Sequence, residues 1–509
     1  MTVTVGASLT FQDVVDVATG TSSVEVGAGV ETRMESSRAV VEEAAASGRA
    51  VYGITTGIGD LANVKIPHGE ATKLQRDIVR SHATAVGERF SIEIVRAMLL
   101  LRARTFAFGV SGVRPEIVHL LVQLLNERIH PVVPSQGSLG ASGDLAPLAH
   151  LALPLIGEGE VEYRGQVQPA AAALRAAGIE PLELSFKEGL ALVNGTEAML
   201  AMGVLGCKRA EMLARVADIT GAMTVEACLG TDRAFDADLI ALREHLGSKI
   251  VAGNLRAILS GSAIVASHRT SEHLVQDAYS LRCIPQVHGA YRDGLAYARA
   301  TFEAELASAI DNPTVMPGSG EVLSGGNFHG ESLALALDHM GLCVAGYGTI
   351  AERRIARLVD PDLNNGLPAF LTTDPGRRSG LMLPQYTAAS LVSESRSLCF
   401  PASADSIPTS AGQEDHVSMG ATSGRKAAAI LTNIEHVIAI EALTAAQGLD
   451  LRAPLTPAPG TAAARAAIRQ VSPGLDEDRS LSGDIEDLRE LIRSGALVTA
   501  ASEAAGSLD

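Results

Sequence analysis

Residues 198–229 contain no proline, and Leu200, Val204, Leu213, Val216, Ile219, Met223 and Leu229 recur through them between scattered charges at Lys208, Glu211, Arg215 and Asp218. That pattern predicts one long helix, buried over much of its surface. Similar patterns predict helices over 31–47, stopped by Gly48, and over 86–107, 114–127, 291–310, 331–357, 386–398 and 424–446. Strand signals are few and short, at Val3–Val5 and Val161–Tyr163. The class is mainly α, an elongated bundle whose helices pack at shallow angles. Hydrophobic residues make up 47% of the 509 but aromatics only 3%, with no Trp, so the core is built from Ala, Leu, Val, Ile and Met. No uncharged apolar run approaches the ~20 residues needed to span a bilayer. The apolar surface is therefore expected inside the protein or at subunit contacts, with no membrane partner.

Domain boundaries are faint. A Gly- and Glu-rich turn region near 156–166 and the stretch Pro454–Pro459 suggest an N-terminal domain over 1–185, a central long-helix bundle over 186–455 and a C-terminal helical segment over 456–509. Within the last, residues 456–482 mix Pro, Gly, Ala and charge and read as a mobile surface segment, ahead of an acidic helix around Asp484–Ser494. A net charge of −17 without any block of Lys and Arg argues against nucleic acid. Cys207, Cys228, Cys283, Cys343 and Cys399 are widely spaced and lack C-x-x-C, as expected of reduced thiols, and the N-terminus shows no signal-peptide pattern. A cytoplasmic location is expected. The sequon Asn194-Gly195-Thr196 is then incidental.

The segment Gly140-Ala141-Ser142-Gly143-Asp144-Leu145-Ala146-Pro147 carries chemistry in its backbone. If the amide nitrogen of Gly143 attacks the carbonyl carbon of Ala141, a five-membered ring closes. Loss of two waters, one taking the Ser142 hydroxyl, then leaves an exocyclic methylidene on an imidazolone. Gly suits backbone pressed against backbone, Ala leaves the carbonyl uncrowded, and Ser supplies the β-leaving group. The plainer reading is a polar turn with Asp144 as the N-cap of the following helix. A serine hydrolase fits poorly, because G-x-S-G-D lacks the second outer Gly of G-x-S-x-G.

Five further segments, one before this loop and four after it, complete an ordered set. They are Tyr52-Gly53-Ile54-Thr55-Thr56-Gly57-Ile58-Gly59, Asn194-Gly195-Thr196, Gln276-Asp277-Ala278-Tyr279-Ser280-Leu281-Arg282-Cys283, Gly325-Gly326-Asn327-Phe328-His329 and Gln413-Glu414-Asp415-His416-Val417-Ser418-Met419. With the Ala-Ser-Gly loop, this set resembles the aromatic amino acid ammonia-lyases, which carry the methylidene-imidazolone (MIO) prosthetic group. Ser81-His82-Ala83 and Glu414 place it nearest the histidine-specific branch, histidine ammonia-lyase. The sequence departs from the common pattern at Ile58, where relatives often have Phe.

The resemblance implies the fumarase/histidase-like helical fold and a homotetramer with active sites built from several chains. It also implies MIO formation from Ala141, Ser142 and Gly143 without metal or nucleotide. The implied reaction is loss of ammonia from L-histidine to give trans-urocanate, the substrate amine adding to the MIO methylidene. Tyr52 is matched to the group that takes the β-proton and Tyr279 to a second catalytic tyrosine. Arg282 and Asn194 are matched to the carboxylate ligands, Phe328 to a neighbour of the prosthetic group and Gln276 to a hydrogen-bonding neighbour. Glu414 and His82 are matched to the side-chain pocket. Phenylalanine-specific relatives put an apolar pair in place of Ser81-His82 and Gln in place of Glu414, and tyrosine-specific ones keep the His but lack the Glu. Tyrosine or phenylalanine as substrate, an aminomutase outcome, and a non-enzymatic helical protein on a lyase scaffold remain alternatives.

Other readings of the same residues are weaker. The Tyr52 loop lacks the G-K-[ST] and G-x-G-x-x-G patterns of a phosphate cradle. Arg282 alone is an ordinary surface or ion-paired arginine, and His82 alone a structural histidine. His268, Glu272 and His273 have neither H-E-x-x-H nor its inverted spacing, so they read as loop polarity rather than a zinc site.

Overall fold

The structure, a computed structural model, describes residues 1–140, 143–271 and 275–509, the side chain of His68 excepted. Among the described residues there are twenty α-helices and nine short strands, a mainly α protein as the apolar periodicity predicts. Two compact units share the chain. One holds Met1–Leu205, Arg299–Asp338 and Pro401–Arg425; the other holds Gly206–Ala298, His339–Phe400 and Lys426–Asp509.

The first unit contains the strands. Thr2–Val5 pairs in parallel with Ser23–Val26, Val86–Arg89 is antiparallel to Pro134–Gln136, and Glu160–Tyr163 lies between His130–Pro131 and Gln166–Pro169. The helix Ile92–Ala107 forms its centre, with every residue from Val95 to Ala107 buried. Its start corrects the expectation of a helix from residue 86. Gly87 has a φ of +83°, a conformation that ends a helix, and the Ser91 hydroxyl accepts from the Ile94 N–H to cap a helix that begins at Ile92.

The second unit is assembled from long helices. The expected helix over 198–229 is Glu197–Ala227, and the larger part of it belongs to this unit, as does the larger part of Ile284–Leu306, Glu331–Val359 and Gly420–Leu451. Within this unit the helices approach closely: a Cβ on Gly348 would lie 2.3 Å from Ile434 Cδ1, and one on Gly346 2.0 Å from the Tyr291 ring. Buried charge is paired there. His288 donates from Nδ1 to Asp218 at 2.7 Å and accepts at Nε2 from Arg354 at 3.3 Å, which leaves the ring neutral and satisfied. Arg354 also forks onto Glu441.

Part of residues 456–482, where composition suggests a mobile surface segment, is an ordered helix. Pro459–Val471 is a helix that buries Thr461, Ala464, Ala467 and Ile468 and packs on the helix Ala496–Ala505. Its alanines are the small side chains that such an approach requires. Ser482–Arg493 is the expected acidic helix. Glu331–Val359 and Gly420–Leu451 are long and apolar enough to cross a membrane by length and composition, but 72% of each apolar window is buried within the protein, as for core helices. All five cysteines are free thiols.

Candidate active site

Ala141 and Ser142 lie outside the described residues, and the backbone on either side of them is tightly held. Gly140 and Gly143 face each other as a bridge, and Gly143 pairs with Gly195. The Asp144 N–H donates to the Gly195 carbonyl at 2.6 Å. A Cβ on Gly143 would lie 1.8 Å from that carbonyl oxygen, so only glycine permits the approach. The Ser138 hydroxyl sits beneath the turn, donating to Asp144 Oδ1 at 2.9 Å and accepting from the Gly140 N–H at 3.1 Å. Backbone pressed on backbone with both ends drawn together is what closure of a ring between residues 141 and 143 requires, so these residues fit an MIO precursor.

Asp144 does not cap its own helix. It precedes Leu145–Ala152 without a side-chain bond to it; its Oδ2 instead accepts from the N–H groups of Ala198 and Met199, at 2.9 and 3.0 Å, in the first turn of Glu197–Ala227. A helix N-terminus reached through space competes for the carboxylate and wins. Burial pushes this carboxyl up to about 7, against hydrogen bonds from Met199, Ser138 and Ala198 and with the Glu197 charge adding to the rise. The folded state therefore holds the proton more tightly than an unfolded chain. The resulting stability is present below the ordinary value of 3.8 and is lost as pH rises to about 7. Across that window wild type should lose thermal stability relative to Asp144→Asn; a pH-independent difference would return Asp144 to the ordinary carboxylate range.

Asn194 ends the short helix Glu188–Val193 and is buried. Its Nδ2 donates to the Asn312 carbonyl at 2.7 Å, which fixes the amide orientation and leaves Oδ1 buried with no partner among the described residues. Its own carbonyl accepts from Arg102, a fully buried guanidinium that also meets Glu197 at 3.1 Å. A buried Asn in this network is no glycosylation site. Asn312 continues the chain of contacts by accepting from the Gly325 N–H at 2.9 Å, at the start of the loop that bears the half-buried Phe328. The same loop reaches the Ala-Ser-Gly turn through the Gly330 N–H, 3.3 Å from the Gly140 carbonyl.

Tyr52 begins a glycine-rich loop whose Gly59 N–H donates to the phenol oxygen at 3.2 Å. Gly53 lets the loop lie against Leu190, where a Cβ would fall 2.3 Å from Cδ2, and Gly59 lets it meet Ser410. That serine opens the turn leading to Glu414. Thr409 and Glu414 exchange backbone hydrogen bonds, and the Thr409 hydroxyl donates to Glu414 Oε2 at 2.8 Å. Beyond it the Met419 N–H donates to the Leu139 carbonyl at 2.8 Å, joining this segment to the Ala-Ser-Gly loop. His82 is half-buried at the end of the helix Ala71–His82. Its Nδ1 lies 2.8 Å from the Ile78 carbonyl and must carry the proton there, so the lone pair of the neutral ring is on Nε2.

The first unit thus gathers the segments of Tyr52, His82, Gly143, Asn194, Phe328 and Glu414. Gln276, Tyr279 and Arg282 belong to the second unit. Tyr279 is 71% exposed, and the Arg282 guanidinium stacks 4.6 Å from its ring centre, as the shared face of Tyr279–Arg282 predicts. Arg282 Nε is buried with no hydrogen-bond partner among the described residues. Gln276 is exposed. Of the group read as loop polarity, Glu272 and His273 lie outside the described residues; His268 Nε2 meets the Gly230 carbonyl at 3.1 Å.

Sequence reasoning missed Arg102, Asn312 and Thr409, which hold the matched residues in place. The Asn312-Pro313 turn was a readable signal. Arg102 carries none, because its partner Asn194 is distant in sequence, and Thr409, five residues before Glu414, belongs to no motif that marks the contact.

The pattern of the aromatic amino acid lyase family matches residues 9–470. Histidine ammonia-lyase of Sorangium cellulosum is 51% identical over 512 residues, covering 99% of this chain and 99% of that protein. Among solved structures, histidine ammonia-lyase from Trypanosoma cruzi matches with a TM-score of 0.91 at 41% identity, over 99% of this chain and 96% of that one. Tyrosine aminomutase from Streptomyces globisporus matches with a TM-score of 0.95 at 39% identity over the whole of both chains. Fold, ordered motifs and full-length similarity agree: the chain belongs to the aromatic amino acid lyase family.

Proposed function

We infer that the chain is an ammonia-lyase that converts L-histidine to trans-urocanate and ammonia. The observation that carries histidine over other aromatic substrates is Glu414, a carboxylate steadied by the Thr409 hydroxyl in the unit that also holds Tyr52 and His82. A carboxylate suits an imidazole, which offers an N–H; against a benzene ring it would be left uncompensated.

In this reading Ala141, Ser142 and Gly143 form the MIO group, which supplies an electrophile for the substrate amine. Arg282 forks onto the substrate carboxylate, where its planar geometry sets orientation as well as attraction. Asn194 adds the second amide hydrogen that Asn312 leaves free. Tyr52 takes the β-proton at its phenol oxygen, held in position by the Gly59 N–H, with Tyr279 as the second tyrosine and Gln276 beside it. Glu414 accepts from the imidazole N–H while the His82 ring lines the other side. The Cβ–H and Cα–N bonds break, a carbon–carbon double bond forms, and ammonia and a proton leave.

We further propose a cytoplasmic homotetramer with sites shared between chains, taking a small amino acid and neither nucleic acid nor membrane as partner. Tyr297, Leu342, Leu383, Tyr386 and Phe400, all exposed on helices or turns of the second unit, support association.

Glu414→Gln keeps the size of the side chain and removes its charge, weakening a contact of about 1.5–3 kcal/mol. Histidine turnover should fall roughly ten-fold or more, each 1.4 kcal/mol being about a factor of ten. His82→Leu should compound the loss. Urocanate formation by the two variants is the measurement, and unchanged rates in both would remove these residues from the substrate pocket.

A further inference from the structure

The first unit holds a second constellation that the proposed reaction leaves unused. His329, Glu331 and His416 bring one ligand atom each to within 4.8 Å of one another. Sequence spacing does not reveal it: the first two residues are two apart and the third lies far along the chain, so no zinc motif is written. Two details give the cluster the character of a ligand set. His329 Nε2 lies 3.2 Å from the His416 carbonyl and must donate its hydrogen there, which places the lone pair of the neutral ring on Nδ1. A ring nitrogen hydrogen-bonded to a carbonyl, with the lone pair on the other, is the usual arrangement of a metal-binding histidine. Glu331 Oε2, at the first residue of Glu331–Val359, is buried and has no hydrogen-bond partner among the described residues. A buried carboxylate oxygen left this way is costly unless a cation compensates it.

We propose that His329, Glu331 and His416 bind a divalent cation of the zinc class. Two imidazole nitrogens and one carboxylate oxygen favour such an ion over magnesium or calcium, which prefer all-oxygen shells. Three protein ligands leave room for water at the remaining position. Ligands about 2.0–2.2 Å from a tetrahedral ion stand roughly 3.4 Å apart, so binding requires the cluster to close by up to about 1.4 Å, within reach of side-chain rotation. The exposed His416 gives the ion an entry path. The site ties the loop bearing Phe328 to the segment bearing Glu414, and both contact the Ala-Ser-Gly loop, through Gly330 to Gly140 and Met419 to Leu139. The ion is therefore a clamp between two loops, outside the bond-breaking steps, and its binding does not depend on the identity of the substrate.

The test uses the full-length processed protein stripped with chelator and titrated with zinc chloride, read by calorimetry and thermal unfolding. Wild type should bind one equivalent per chain and unfold at a higher temperature in excess zinc. Glu331→Gln and His416→Asn should each weaken zinc binding by at least about ten-fold and abolish the thermal shift. Wild-type circular dichroism in the absence of metal would show that both variants fold. No thermal shift in wild type, an equal shift with magnesium chloride, or wild-type zinc affinity in either variant would overturn the site.

Discussion

Ser142→Ala is expected to yield a folded helical protein whose intact mass equals that of the unprocessed chain, whereas wild type is lighter by two waters. The argument is one of leaving groups. Alanine has no β-oxygen to lose, so ring closure between residues 141 and 143 would produce no methylidene even with the glycine turn intact. Gly140, Gly143 and Gly195 hold their close approach through backbone pairing and the Ser138 hydroxyl, none of which needs the Ser142 side chain, so the fold should survive. Histidine turnover should fall by on the order of 10³-fold or more, the scale of loss when a group that acts covalently is removed. Near wild-type turnover by a protein of undehydrated mass would eliminate the proposed electrophile.

Tyr52→Phe should leave dehydration complete and substrate binding nearly intact while lowering kcat by about 10²–10⁴-fold, the contribution of a positioned general base. The loop's packing at Gly53 against Leu190 and Gly59 against Ser410 does not involve the phenol oxygen, so loss of the hydroxyl removes the Gly59 contact and little else. Intact mass, KM and kcat measured together separate the outcomes. A kcat within ten-fold of wild type would move the proton to another group.

The fold was readable wherever apolar periodicity ran long and uninterrupted. Residues 198–229 became Glu197–Ala227 because nothing in that stretch competes with the helix. The reading failed where local pattern met a single conformational constraint, as at Gly87, and where alanine-rich composition looked loose but supplied the small faces of a packed helix, as in Pro459–Val471. Asp144 shows the limit of a local rule: its sequence position is that of a cap, and its carboxylate caps a different helix. For the site, ordered motifs named the candidates because each is a short segment with its chemistry inside it. Of the residues that hold those segments, Arg102 and Asn312 act across the fold, Thr409 acts within its own turn, and the His329, Glu331 and His416 cluster exists only once the chain has folded.

The central claim, an MIO lyase acting on histidine, is tested most directly by supplying the purified protein with L-histidine, L-tyrosine and L-phenylalanine and following urocanate, coumarate and cinnamate, with β-amino acid products measured alongside. Urocanate should form with the highest kcat/KM and without β-histidine. Preferred turnover of tyrosine or phenylalanine, or accumulation of a β-amino acid, would contradict it.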